Sequence, residues 1–184
     1  MKLIILACLV NLVTIAYTQK YWDSQSVQIS FFSTTPVEDI EAHAQNATML
    51  LDTETNEVAT RIKINSFKFH KELMQEHFNE NYLESEKFPY GSFSGKINEK
   101  IDWNKPGAYA VTVTGKLTIH GKTQERTIAG NLKIEAGKIT IHSKFEVLLV
   151  DHQITVPKIV FHKIAERINV SLSATVTPRH DNKK

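Results

Sequence analysis

The sequence predicts an all-β fold of about eight antiparallel strands with one short helical excursion. Three observations carry this. Most of the chain alternates apolar and polar residues at period two, as strands with one buried face do. The alternating runs are joined by short turn signals, including Asn104-Lys105-Pro106-Gly107, His120-Gly121-Lys122 and Ala136-Gly137-Lys138. The period changes once, between Phe67 and Phe93, and no βαβ alternation, repeat or low-complexity linker is present. Antiparallel meanders of this kind close into barrels or stack as sandwiches.

The N-terminus stands apart. Lys2 supplies a positive charge, and Leu3 to Ile15 is apolar apart from Asn11 and Thr14. Ala16 and Thr18 then place small residues at −3 and −1 of a cleavage site before Gln19. This pattern predicts a signal peptide over residues 1–18, and the apolar run is short for a membrane span. Cys8, the single cysteine, lies inside that run and reads as one of its apolar residues. Cleavage would leave a mature chain without cysteine, which excludes disulfides and thiolate metal sites. The expected domain is residues 19–178, with 179–184 a polar tail.

The strands follow in order. Val27, Ile29 and Phe31 alternate with polar neighbours in the first. Thr35-Pro36 breaks it, and Thr35 as a cap with Glu38 and Asp39 behind it predicts one or two helical turns over Pro36 to Ala44. Ala47 to Leu51 is the second strand, Asp52 to Asn56 a polar turn, and Val58 to Ile64 the third strand. From Lys71 to Tyr82, Leu73, Met74, His77, Phe78 and Tyr82 fall near helical spacing. Pro89 ends that pattern, and Gly91 to Ile97 resumes a strand. Tyr109 to Ile119, Ile128 to Ile134 and Ile139 to Leu149 are the next three. Asp151 to Phe161 is irregular, and Ile164 to Val176 is the last strand, with a bulge expected near Arg167.

Composition narrows the function. The chain is 184 residues long, 41% apolar and 23% charged, with net charge +2. Both signs are interspersed, which gives little electrostatic reason to bind nucleic acid. No G-x-S-x-G elbow, H-E-x-x-H motif or P-loop is present, so catalysis is not expected. Among the eight histidines, His70 and His77 could share a helix face, but no carboxylate is obviously placed as a third metal ligand. No cofactor is expected. His120 sits in a turn and is expected to be exposed, and Glu84 to Lys87 reads as a solvated loop.

The apolar faces are the binding candidates. Val111, Val113, Leu117, Phe145, Val147, Ile168 and Val170 are expected to point inward. The pattern alone favours a solid core over a cavity. Phe67, Phe69, Leu73, Met74, Phe78 and Tyr82 lie on the excursion, whose apolar stripe must be buried at one end of what the strands enclose. Methionine and aromatics there would suit an adaptable wall for a flexible ligand.

Three segments point to a family. The run from Asn65 to Gly95 (NSFKFHKELMQEHFNENYLESEKFPYGSFSG), the hairpin Gly115 to Thr123 (GKLTIHGKT), and Phe145 to Val147 with Asp151 to Pro157 resemble YceI-like proteins in order and spacing. The resemblance spans roughly Val27 to Val176. It departs from the histidine-containing pattern of some members around Ser26 to Ser33. It implies an extended, lipocalin-like eight-stranded barrel, a periplasmic or secreted location, and a long isoprenoid-like lipid held inside. No stable membrane span is expected, and a homodimer is as compatible with the sequence as a monomer. The rival readings are a packed barrel that meets a partner through Phe88, Tyr90 or Trp103, and a hydrolase using His77 and Asp151.

Overall fold

The computed structural model describes residues 20–34, 39–155 and 165–179. Among them are ten strands: β1 (Tyr21–Thr34), β2 (Asp39–Ala44), β3 (Thr48–Asp52), β4 (Glu57–Lys63), β5 (Lys68–Phe69), β6 (Tyr90–Ile97), β7 (Gly107–Ile119), β8 (Lys122–Glu135), β9 (Lys138–Leu148) and β10 (Arg167–Pro178). A helix, α1 (Glu72–His77), runs into a π-type turn over Phe78–Tyr82.

The ten strands form a closed ring with eight positions. Every ladder between them is antiparallel. Around the ring run β1, β10, β9, β8, β7, β6, β4 and β3, which returns to β1. Strand β1 serves three partners. One edge pairs with β10 from Trp22↔Pro178 to Phe32↔Asn169. The other pairs with β3 through Tyr21 to Asp23 and with β2 through Ile29 to Thr34. Strands β2 and β3 therefore occupy one position, interrupted at residues 45–47. Strands β4 and β5 occupy the next, interrupted by a single 3-10 turn over Ile64–Ser66, with β5 bonded to β2. Closure satisfies the edge groups that an open sheet would leave unpaired.

The structure corrects three expectations. Asp39–Ala44 is strand, not helix: Ile40, Ala42 and Ala44 are buried and alternate with exposed Asp39, Glu41 and His43. That period-two pattern prevails over the helix-start signal at Thr35-Pro36, and residues 35–38 lie outside the described residues. The bulge sits in β1, between Ser24 and Ser26, while β10 pairs with β9 without interruption from Arg167 to Val176. Strand β1 also begins at Tyr21, well before Val27, because the bulge hides the alternation there. Ile164 and residues 156–161 of the expected irregular stretch lie outside the described residues.

The two ends of the barrel differ. At one end Trp22, Leu51, Ile97, Leu132, Ile134, Ile139 and Val176 pack together from six strands, with Trp103 and Ile101 of the β6–β7 connection against them. The Trp103 indole N–H donates to Asn56 Oδ1 at 2.9 Å, which ties that connection to the β3–β4 turn. At the other end the same inward alternation continues, but the side chains do not meet. The excursion between β5 and β6 lies over this second end.

Strands β6 and β7 approach unusually closely. Gly95 and Gly115 face each other across the ladder. A Cβ on Gly115 would lie 2.2 Å from the Ser94 carbonyl oxygen and 2.5 Å from the Gly95 Cα. Those neighbours are backbone and cannot swing aside. Gly115→Ala is therefore expected to cost about 2–3 kcal/mol by overpacking, read as a Tm fall of roughly 5–10 °C. Gly137, at φ +71 in an open turn with nothing within 4 Å of a built Cβ, should lose only about 1–2 kcal/mol as alanine, from the left-handed backbone alone. Equal Tm losses for the two variants would contradict the close approach.

Candidate functional site: an apolar cavity and its cap

The unfilled end holds a cavity of about 260 Å³. Its wall comes from alternate residues of nearly the whole ring: Ile29 and Phe31 of β1, Ile40 of β2, Met49 of β3, Val58 and Ile62 of β4, Phe93 of β6, Val111 to Ile119 of β7, Ile128 of β8, Ile141 to Val147 of β9, and Ile168 to Leu172 of β10. The lining is almost entirely apolar. Two of its hydroxyls are committed to the protein: Ser143 Oγ donates to the Ala129 carbonyl at 2.7 Å, and Ser33 Oγ accepts from the Ala165 N–H at 2.9 Å. A void with so apolar a lining holds water poorly and suits apolar atoms.

The excursion supplies the roof. Its helix is only six residues long, starts on Lys71 without a side-chain cap, and could not persist alone. Burial holds it instead. Phe78 stacks on Phe31 with centroids 5.4 Å apart, and Phe67 and Phe69 close on both rings at 5.0–5.7 Å. Beyond the π-type turn, Leu83 packs with Ile64 and Ile154, against Ile119, Tyr82 and Leu149. The roof thus spans from the β2–β5 edge to the tip of the β7–β8 hairpin. Burial pushes the Tyr82 phenol above its ordinary range.

A polar latch fixes the far side of the roof. His120 Nε2 lies 2.7 Å from Glu84 Oε2, and His120 Nδ1 lies 3.2 Å from the His152 carbonyl oxygen. Both partners accept when Glu84 is ionised, so a ring nitrogen that carries a proton donates to the oxygen it faces. The hydrogen bond from His120, opposed by partial desolvation and helped by Lys87, holds the Glu84 carboxyl below its ordinary range. Phe88 meets the His120 ring edge-on, with centroids 4.6 Å apart. Glu84, His120 and Gln153 all have left-handed backbones, with φ of 43, 50 and 53. Strained conformations gathered at one place are retained when the surroundings fix them, and they cluster at functional sites. The expectation of an exposed His120 is corrected, its side chain being 12% exposed; in the Glu84 to Lys87 loop Ser85 is buried, while Glu86 and Lys87 are exposed as expected.

The wall has one seam. The β8–β9 ladder runs only from Gly130↔Ser143 to Glu135↔Lys138. Toward the cavity end the two strands part, and side chains bridge them. Arg126 Nη2 donates to the Glu146 carbonyl at 2.8 Å, Gln124 Nε2 to the Asp151 carbonyl at 2.6 Å, and His152 Nδ1 to the Lys122 carbonyl at 3.0 Å. His152 is fully buried in the 3-10 turn Leu149–His152, and its Nε2 has no hydrogen-bond partner. Desolvation drives its pKa below the ordinary 6.5 despite the Lys122 bond.

Twelve of the thirteen residues proposed from the sequence border the cavity: Phe67, Phe69, Met74, Phe78, Tyr82, Val111, Val113, Leu117, Phe145, Val147, Ile168 and Val170. Leu73 does not. It is 61% exposed and points away from the roof's inner face. Sequence reasoning missed Ile29, Phe31, Met49, Phe93 and Leu172, although their parity along the strands matches residues it chose. Of the surface candidates, Tyr90 is exposed beneath the Arg61 guanidinium at 3.6 Å, while Phe88 and Trp103 are engaged as described. Asp151 faces Arg126 at 3.8 Å. Among the described residues no cluster of three or more His, Cys, Asp or Glu could hold a metal ion. No helix among them is long and apolar enough to cross a membrane.

The sequence profile of the YceI-like domain matches residues 21–176. The chain belongs to the YceI-like family. Its fold is shared by solved structures of low sequence identity. A polyisoprenoid binding domain from Saccharophagus degradans, described as implicated in plant cell wall breakdown, superposes with a TM-score of 0.73 at 12% identity, covering 88% of this chain and 100% of that one. BcnA of Burkholderia cenocepacia gives 0.69 at 16% identity over 82% and 96% of the two chains. The YceI protein of Campylobacter jejuni gives 0.58 at 20% identity over 73% and 81%. No curated protein sequence is significantly similar to the chain.

His152 makes stability depend on pH. The folded state binds its proton less readily than the unfolded state, so the contribution of the neutral ring is complete above 6.5 and is lost as pH falls from there through the depressed folded value. Thermal melts should show Tm falling between pH 7.5 and 5.5, before most carboxylates titrate. His152→Asn, whose amide can still donate to Lys122, should flatten that fall. A parallel decline in both proteins would assign it elsewhere.

Proposed function

We propose that this YceI-like protein is a carrier that holds an amphipathic, isoprenoid-like lipid with its apolar chain in the open half of the barrel. The observation that carries the reading is the cavity of about 260 Å³ with its almost wholly apolar wall and aromatic roof. Family membership supports it, as does the likeness to a domain described as polyisoprenoid-binding. Affinity arises from burial. Each methylene removed from water contributes about 0.8 kcal/mol before ordering costs. Polar selection is weak inside because the lining is almost wholly apolar, so the headgroup remains at the roof. The apolar lining supports action by binding. The signal-like residues 1–18 support delivery to the periplasm or the exterior, with removal before Gln19.

The alternative, a packed barrel acting through its surface, is weakened by the void. Native mass spectrometry of the protein purified from its own host, followed by solvent extraction, tests the reading. The expected result is one stoichiometric apolar molecule per chain, released by organic solvent, with an N-terminus at Gln19. A clean unliganded mass, together with failure to bind added isoprenoid alcohols, would overturn it.

A further inference from the structure

The seam between β8 and β9 is not a frayed end. Strand β8 stays paired with β7 out to Ile119↔Lys122, and β9 stays paired with β10 out to Arg167↔Leu148. Only their facing edges part, beyond Gly130↔Ser143. The backbone groups along those edges need other partners, and the residues that supply them break the pattern of the wall. Ile128, Gly130 and Leu132 set the inward parity of β8, and Gln124 and Arg126 share it. The inward residues on either side are apolar: Leu117 of β7, and Phe145 and Val147 of β9. Gln124 and Arg126 do not border the cavity themselves. They reach across the gap to the carbonyls of Asp151 and Glu146.

The turn Leu149–His152 completes the wall beyond the gap. Leu149, with Ile154 just after the turn, borders the void, while Val150 is 75% exposed to solvent. The turn is tied to β8 by the Gln124 and His152 hydrogen bonds and by the loose Arg126–Asp151 pair at 3.8 Å. We infer that the apolar chain of the ligand enters and leaves the barrel sideways, between β8 and β9, with Gln124, Arg126 and this turn as the gate. The inference rests on the carrier reading above and names its route. Passage under the roof would lift Phe67, Phe69 and Phe78 off Phe31 together. Passage through the seam exchanges a few separate hydrogen bonds for bonds to water, each at small net cost. Val150 outside the opening and Phe145 and Val147 inside it offer the chain apolar contact on both sides.

The test locks the gate. Thr127 and Glu146 are exposed, and they would oppose each other if the register continued past Gly130↔Ser143. In a Cys8→Ser background, Thr127→Cys and Glu146→Cys supply the only two thiols, and a short reducible thiol-specific linker joins them. Uptake and release of a fluorescent fatty acid are followed by stopped flow. Linking should slow both rates about tenfold or more and leave Kd unchanged, and reduction should restore them. Gln124→Ala should speed both rates about threefold, again at constant Kd, because it removes one closing hydrogen bond. If the cysteine pair does not fold or link, Gln124→Ala decides alone. Linked protein that exchanges at the unlinked rate, or Gln124→Ala that leaves uptake unchanged, overturns the gate and leaves the carrier reading standing. No uptake by the parent chain overturns the carrier reading, and the gate with it.

Discussion

Closure of the ring by β1 and β10 is the constraint on which the rest depends. The first and last strands pair over almost their whole length, and β1 must also meet β2 and β3. With no edge available, every inward residue faces a space of fixed cross-section. That space can be filled, as at the Trp22 end, or roofed. Strand β1 manages its three partners by bulging between Ser24 and Ser26 and by leaving β2 and β3 as separate short pieces.

The roof follows from the same constraint. An unfilled apolar end would expose a large patch to water, and Phe67, Phe69 and Phe78 cover it, packed on Phe31 of β1 with a few aliphatic residues. The cover is cheap in secondary structure, since a single short helix and a π-type turn suffice once Phe78 is seated. It is fastened by a different kind of force on each side. Apolar contact holds the Phe31 side, and hydrogen bonding to the Glu84 carboxylate holds the His120 side. The cover thus has one apolar and one polar fastening.

Much of this was legible in the sequence. Period-two alternation located the barrel strands, and the change of period located the roof. The division into filled and hollow halves was not legible, because Val111 beside the void and Leu132 in the packed end occupy equivalent inward positions. Whether such a side chain touches another depends on what arrives from across the ring. Leu73 failed for a local reason. The helix is so short that only Met74 and Phe78 reach inward, and a stripe inferred from average helical spacing claims one residue too many. Glu84 and His120 lacked any sequence signal, since their meeting joins two loops far apart in the chain.

The seam between β8 and β9 gives the wall a direction of weakness. A ladder of backbone bonds resists separation collectively, because each pair fixes the register of the next. The Arg126, Gln124 and His152 bridges have no such mutual support. Each can exchange its carbonyl for water independently of the others. The circumference is therefore softer along this line than along the continuous β7–β8 and β9–β10 ladders. Parting the strands there breaks no ladder pair, since the β8–β9 ladder ends at Gly130↔Ser143. The barrel behaves less like a rigid tube than like a cuff, able to change its girth at the open end while its closed end stays clamped.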